Sequence, residues 1–140
     1  MDSRTPSIID LDAKIAQLTM FPRTPHSTPA ERKGSSVRLA SYRDGALFAI
    51  KFSGTDHWES HPTGDELVHI LDGEAILDIV SDDGPQSFAL RAGMLAVIPQ
   101  GAWHRLQSPG GATQVTATPF PSEHIDLDVD DPRTVERKSA

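Results

Sequence analysis

The chain has 140 residues, a formal net charge of −7, 37% hydrophobic residues and no cysteine. That length suits one domain with a single modest core, and the acidic balance works against a nucleic-acid partner, whose phosphates call for a basic face. The missing cysteines exclude a disulfide framework and thiolate metal ligands, and no apolar run approaches the roughly 18 residues of a membrane span.

The N-terminus, Met1 to Pro6, opens no apolar stretch of signal-peptide type, so a cytoplasmic home is expected. Residues 1–34 read as an N-terminal arm. Ile9, Leu11, Ile15 and Leu18 partly share a helical face, which predicts a short helix over residues 10–18. Pro22, Pro25, Pro29 and Gly34 then break regular structure.

From residue 35 to 120 the pattern changes to short strand-like runs at 37–43, 47–52, 57–61, 67–71, 75–80, 87–90, 95–98, 103–106 and 114–118. Phe48, Ile50 and Phe52 alternate with Ala49 and Lys51, the period of a strand with one buried face. Turn signals lie at Asp44-Gly45, Ser53-Gly54, Asp72-Gly73, Asp83-Gly84-Pro85 and Pro109-Gly110-Gly111. Many short strands without intervening helices predict an all-β sandwich or barrel. Residues 121–140 are charged and poor in apolar side chains, and are expected to form a flexible tail.

Two segments carry the chemistry. One runs from Glu59-Ser60-His61 through Glu66 to Gly73, and the other from Gly93 through Pro99-Gln100-Gly101 to His104. Residues two apart on a strand point to one face, so Glu59 and His61 project together. The short turn after Pro62 returns the chain so that Glu66 can aim into the same space. His57 shares the Glu59 face but lies roughly 13 Å of extended strand from His61. It is therefore expected beside the cup rather than in it, as a candidate acid or base.

Taken together, the segments resemble the two motifs of the cupin superfamily. His61, Glu66, Gly73, Gly93, Pro99, Gly101 and His104 fall on that pattern at its spacing. Glu59 stands where the family has a first His, and Ser108 where it has Asn. The resemblance implies a cupin-type jelly-roll β-barrel with metal ligands at Glu59, His61, Glu66 and His104. Two imidazoles and two carboxylates tolerate Zn, Fe or Mn, and two ionised carboxylates would neutralise a divalent ion. Without an ion, repulsion between Glu59 and Glu66 is expected to raise the pKa of one of them.

Val68, Ile70, Leu106, Phe48, Ile50 and Phe52 are expected to line an apolar cup with a charged floor, suited to a small ligand with an oxygen donor. Arg91 and Arg105 are expected to be exposed, and His26 and His124 to be surface groups. Trp58 and Trp103 are expected to pack or to serve a dimer contact. The resemblance leaves three functions open. One is a metal-dependent enzyme on a small oxygenated metabolite, by dioxygenase, isomerase or related chemistry. The others are a non-catalytic small-molecule-binding module and a dimeric scaffold lacking metal. A homodimer is expected in each case, with Ile8, Ile9, Leu11 and Phe21 of the arm as possible cover for the contact.

Overall fold

In the computed structural model, which describes residues 4–135, nine strands form one strongly curled sheet. The elements in chain order are α1 (Leu11–Ala16), β1 (Phe21–Arg23), α2 (Pro29–Arg32), β2 (Ser36–Tyr42), β3 (Gly45–Thr55) and β4 (Trp58–Ser60). They continue with β5 (Glu66–Ser81), β6 (Gly84–Arg91), β7 (Leu95–Ile98), β8 (His104–Pro119) and β9 (Glu123–Ile125). The predicted helix is present as α1, where the Asp10 side chain accepts from the Ala13 amide at 3.1 Å. In α2 a Thr28–Glu31 capping box follows the same logic, with Pro29 at the first turn.

Strands β5 and β8 are the spine. Strand β8 pairs with β3 along one edge and with β5 along the other, and its first residue also meets β4. Strand β5 takes β7 against its first half and β6 against its second. The barrel interior holds Phe52, Val68, Ile70, Leu77, Leu90, Ile98 and Leu106. Burying a side chain of this kind stabilises by about 1.5–3 kcal/mol, so the inward parity of Val68 and Ile70 fixes the register of β5. A slip of one residue would turn both outward and carry Glu66 off the interior face with them.

Two expected breaks are not breaks. Asp72-Gly73 lies inside β5 and Pro109-Gly110-Gly111 inside β8, and the β5–β8 register shifts between Ile70 and Asp72 and between Gly73 and Ile76. The glycine signals mark where two long strands bend around the barrel without leaving the ladder.

Of the segment expected as a flexible tail, residues 136–140 lie outside the described residues, and the part up to residue 135 contributes β9 paired with β4 and a 3-10 turn at Pro132–Thr134. Ile125 and Val129 pack on Trp58, whose indole N–H donates to the Val129 carbonyl at 2.8 Å. Two isolated apolar residues in an acidic stretch thus find a large partner that composition alone does not reveal. Among the described residues no helix is long and apolar enough to cross a membrane.

Gly73 has φ +77°, and a Cβ there would meet the Gly111 carbonyl oxygen at 2.2 Å, whereas a Cβ at Gly34 meets nothing within 4 Å. Gly73→Ala is expected to lose roughly 1–3 kcal/mol of stability or more, and Gly34→Ala less than about 0.5 kcal/mol. Urea unfolding of the two variants checks the contrast; equal losses would remove the bend at Gly73 as its cause.

Candidate metal centre

Four side chains from three strands and one turn converge inside the barrel. Glu59 comes from β4, His61 from the residue after it, Glu66 from the start of β5 and His104 from the start of β8. One ligand atom from each lies within 4.8 Å of all the others. Cross-strand pairing explains the convergence, because Glu59 sits opposite His104 and Glu66 lies opposite Ile98 on β7, six residues before His104. Glu66, His61 and His104 are buried, and Glu59 is partly open towards the cavity.

The carboxylates surround the imidazoles. His104 Nε2 lies 2.9 Å from Glu66 Oε1 and 3.5 Å from Glu59 Oε1. His61 Nε2 lies 3.3 Å from Glu66 Oε2 and 3.6 Å from Glu59 Oε1. The outer ring atoms are anchored separately: His104 Nδ1 bonds the Ala102 carbonyl and His61 Nδ1 the Ser122 hydroxyl, each at 3.0 Å. Such outer contacts aim Nε2 at the centre, as second partners do for metal-ligating histidines. Thr118 donates to Glu66 Oε2 at 2.6 Å.

The donor set fits a divalent ion. His61 Nε2 is buried without a hydrogen-bond partner although ligand atoms of Glu59, Glu66 and His104 surround it. An orphaned polar atom of this kind is rare in a folded interior, and a cation held among the four groups would satisfy it.

Electrostatics overturns one expectation. Neither carboxylate is raised. Burial pushes Glu59 up, but the attraction of the His104, His57 and His61 rings around it outweighs that and holds the group well below the usual carboxylate range. Burial likewise opposes ionisation of Glu66, and contacts with His104 and His61 prevail. The imidazoles move the other way. Against the cost of burial, Glu59 and Glu66 raise His61 to about 9 and His104 to about 10. Like-charge repulsion is outbid because each carboxylate meets two cationic rings.

His57 takes the place expected for it beside the cup, with Nε2 3.5 Å from Glu59 Oε2. Its Nδ1 faces Arg32 Nη2 at 2.9 Å. Because guanidinium only donates, Nδ1 accepts and the ring proton sits on Nε2, towards Glu59. His124, on β9, stacks on His57 with ring centroids 5.0 Å apart. Trp58 is a packing residue, while Arg105, expected to be exposed, is 9% exposed, lies over the Trp58 ring and pairs with Asp78 and Asp128. Asp78 and Asp128 are far away in sequence, so nothing local signalled that burial. Ser108 is buried and donates to the Glu74 carbonyl at 2.6 Å.

The cup opens into a cavity of about 450 Å³. Of the expected apolar wall, Phe48, Ile50 and Leu106 line the cavity whereas Phe52, Val68 and Ile70 belong to the packed core, and Gln114, Thr116 and Thr118 supply a polar wall. Arg23, Arg32, Lys33 and Arg38 add a basic rim from the arm and β2. Sequence reasoning missed this rim, and it missed Ser122 and Thr118. Strand parity along β8 could have signalled Thr118, since it alternates with Ala117 as Gln114 and Thr116 do with Val115. Nothing local marks Ser122.

Residues 46–118 match the family model described as Cupin domain. An uncharacterized protein of Bacillus subtilis (strain 168), YdbB, is 28% identical over 78 residues, or 56% of this chain and 66% of that protein. The match therefore spans just under two thirds of the relative. The crystal structure of a cupin-2 domain containing protein from Shewanella frigidimarina covers 80% of this chain and 95% of its own, at 21% identity and a TM-score of 0.57. Hydroquinone 1,2-dioxygenase from Sphingomonas sp. TTNP3, solved with 4-hydroxybenzoate bound, covers 60% of this chain and 64% of its own at 19% identity and a TM-score of 0.51. At these identities the two structures bear on the fold alone.

The ion-pair stability of the four side chains has a defined pH window. A raised imidazole stabilises fully below its unfolded value of 6.5 and loses that contribution as pH climbs through its folded value. A lowered carboxylate stabilises above its unfolded 4.5 and loses it as pH falls. Chelator-treated protein is thus expected to show its highest melting temperature between about pH 4.5 and 6.5 from this source, with a decline towards pH 9–10. His104→Gln should flatten that decline, and an unchanged slope in the variant would place its origin outside the cup.

Proposed function

The chain belongs to the cupin family, and on that premise we propose that it is a metal-binding member whose cup presents the ion to a small oxygenated metabolite. The observation that carries the reading is the buried, unpartnered Nε2 of His61 within reach of three further ligand atoms. Glu59, His61, Glu66 and His104 would hold the ion, with Zn, Fe and Mn all compatible with two nitrogens and two oxygens. Bound there, a divalent ion supplies Lewis-acid polarisation of a carbonyl or enolate oxygen, or O2 chemistry if it is iron.

The chain's own residues divide the remaining work. Ser122 and the Ala102 carbonyl fix the two imidazoles. Phe48, Ile50 and Leu106 exclude water from one side of the ligand. His57, with its proton on Nε2, faces the outer oxygen of Glu59 and positions that carboxylate. The competing reading, a metal-free binding module, draws support from the 2.9 Å His104–Glu66 contact, which lets the cup satisfy part of its own charge.

Elemental analysis decides between them. Near-stoichiometric metal is expected in the purified protein and in neither His61→Ala nor His104→Ala. No metal in the wild type, even after incubation with Mn, Fe and Zn, would sink the reading. Because both imidazoles are protonated at neutral pH without the ion, uptake should also release about two protons per ion and tighten with rising pH. Calorimetry in buffers of different ionisation enthalpy measures that number.

We also propose a homodimer. Leu67, Leu95 and Val97 are exposed on the outer face of β5 and β7, with Leu67 directly opposite Val97. A contiguous apolar outer face of this kind marks a contact surface. Sedimentation should give twice the 15.2 kDa chain mass, and the double variant Leu95→Glu, Val97→Glu should give the monomer; a wild-type monomer would end the proposal.

A further inference from the structure

The inward face of three strands runs in register across one wall of the cavity. Arg38 of β2 lies opposite Phe48 of β3, which lies opposite Thr116 of β8. Ser36, Ile50 and Gln114 form the next such row, and all six residues line the cavity. Arg38 therefore holds a position whose strand parity belongs to the barrel interior, at the exposed end of that face. Inward arginines are ordinarily paired, yet Arg38 meets no carboxylate among the described residues. Nη2 donates to the Ser41 hydroxyl at 2.9 Å, and the guanidinium lies over the Phe120 ring, 5.9 Å from its centre. A guanidinium carries five N–H donors, so most of the fork is open to an anion.

Charge at the mouth points the same way. The chain has 13 Lys and Arg against 20 Asp and Glu, and the cavity reverses that balance. Arg23, Arg32, Lys33, Arg38 and Arg105 line it on the cationic side. Asp56, Glu59 and Glu66 are the carboxylates that oppose them. Arg105 is answered by Asp78 and Asp128. Glu59 and Glu66 are answered inside the cup, by His61 and His104 or by an ion held among the four. Asp56 is shared between Arg23 and Arg32 at 2.8 Å each, so it neutralises only one of them. Lys33, in the 3-10 turn after α2, has no ion-pair partner among the described residues. Asp126 stands 3.7 Å from His57 and Glu31 accepts from the Thr28 amide, but neither lines the cavity. The mouth thus keeps an excess of positive charge whether or not the cup holds an ion, and the cavity walls focus that field on what enters.

We propose that the ligand of this cavity is a small carboxylate, its anionic end held at the mouth by Arg38 with Lys33 and its apolar body laid along Phe48, Ile50 and Phe120 towards the cup. The guanidinium fork matches a planar carboxylate with two parallel hydrogen bonds, and Ser41 and Phe120 steady Arg38 for that contact. That assignment rests on the cavity being the ligand site proposed above, with or without the ion.

Calorimetry and ligand-observed NMR on the full chain compare phenylacetate with phenylacetamide, and hydrocinnamate with its amide, as purified and after chelator treatment. Each carboxylate is expected to bind roughly tenfold or more tightly than its amide in both preparations, as charge-assisted hydrogen bonds allow, with the margin narrowing at high salt. Arg38→Gln is expected to remove most of that margin and Lys33→Gln a smaller part, while amide binding falls far less and metal content holds. Arg38→Lys, which keeps the charge but not the fork, should retain part of the margin. Arg91→Gln, which removes an exposed charge outside this cavity, should retain all of it. No carboxylate margin in the wild type, including no binding by any probe, overturns the proposal. So does a margin that survives Arg38→Gln, or one that Arg91→Gln lowers equally. A margin seen only with metal present puts the carboxylate on the ion and overturns it too. Tighter binding of phenyl phosphate than of either carboxylate would overturn the carboxylate in favour of a phosphate. A metal-free wild type that keeps the margin supports the proposal and defeats the metal reading alone.

Discussion

The cup is organised around charge neutrality in a place with little water. Glu66 is nearly inaccessible, and a carboxylate so placed is costly unless opposite charge and hydrogen bonds meet it. Two protonated imidazoles beside two carboxylates sum to zero. One divalent ion beside two carboxylates and two neutral imidazoles also sums to zero. Exchange of two protons for one ion therefore leaves the net charge of the barrel interior unchanged. A set of three imidazoles and one carboxylate would carry an excess positive charge with a divalent ion, so Glu59 in place of a histidine alters the balance as well as the ligand.

The surrounding structure preserves that arrangement from several directions. Strand β8 supplies His104 at its start and Thr118 near its end, so one element grips Glu66 by two hydrogen bonds. Ser122, in the segment that leads to β9, orients His61. Arg23 and Arg32 of the arm clamp Asp56 at 2.8 Å each, and Arg32 also fixes His57 beside Glu59. The arm and the C-terminal segment thus complete the cup rather than merely flank it. They also make the cavity rim basic in a chain whose net charge is −7.

Much of the site was legible because a strand has a period of two. With 57–61 extended, Glu59 and His61 face one way, and the β4–β8 register sets His104 opposite Glu59. His57 also fell where extended geometry puts it, outside the cup but in contact with Glu59. The expectations that failed share a cause. The raised carboxylate, the exposed Arg105 and the loose tail were each judged from neighbours in sequence. Their actual partners are His104 for Glu59, Asp78 and Asp128 for Arg105, and Trp58 for Ile125 and Val129, all distant along the chain.

Alternation and turn residues were enough to determine an all-β fold, and the resemblance of the segments holding Glu59, His61, Glu66 and His104 to the cupin motifs pointed to its cup. Those features are local, or depend on one strand period, so sequence encodes them directly. Tertiary structure alone decided the protonation of the cup, the continuity of β5 and β8 through their glycine bends, and the basic rim. Each of these depends on which groups meet across the barrel in a low-dielectric interior, where a partner a few ångströms away outweighs any neighbour in the chain.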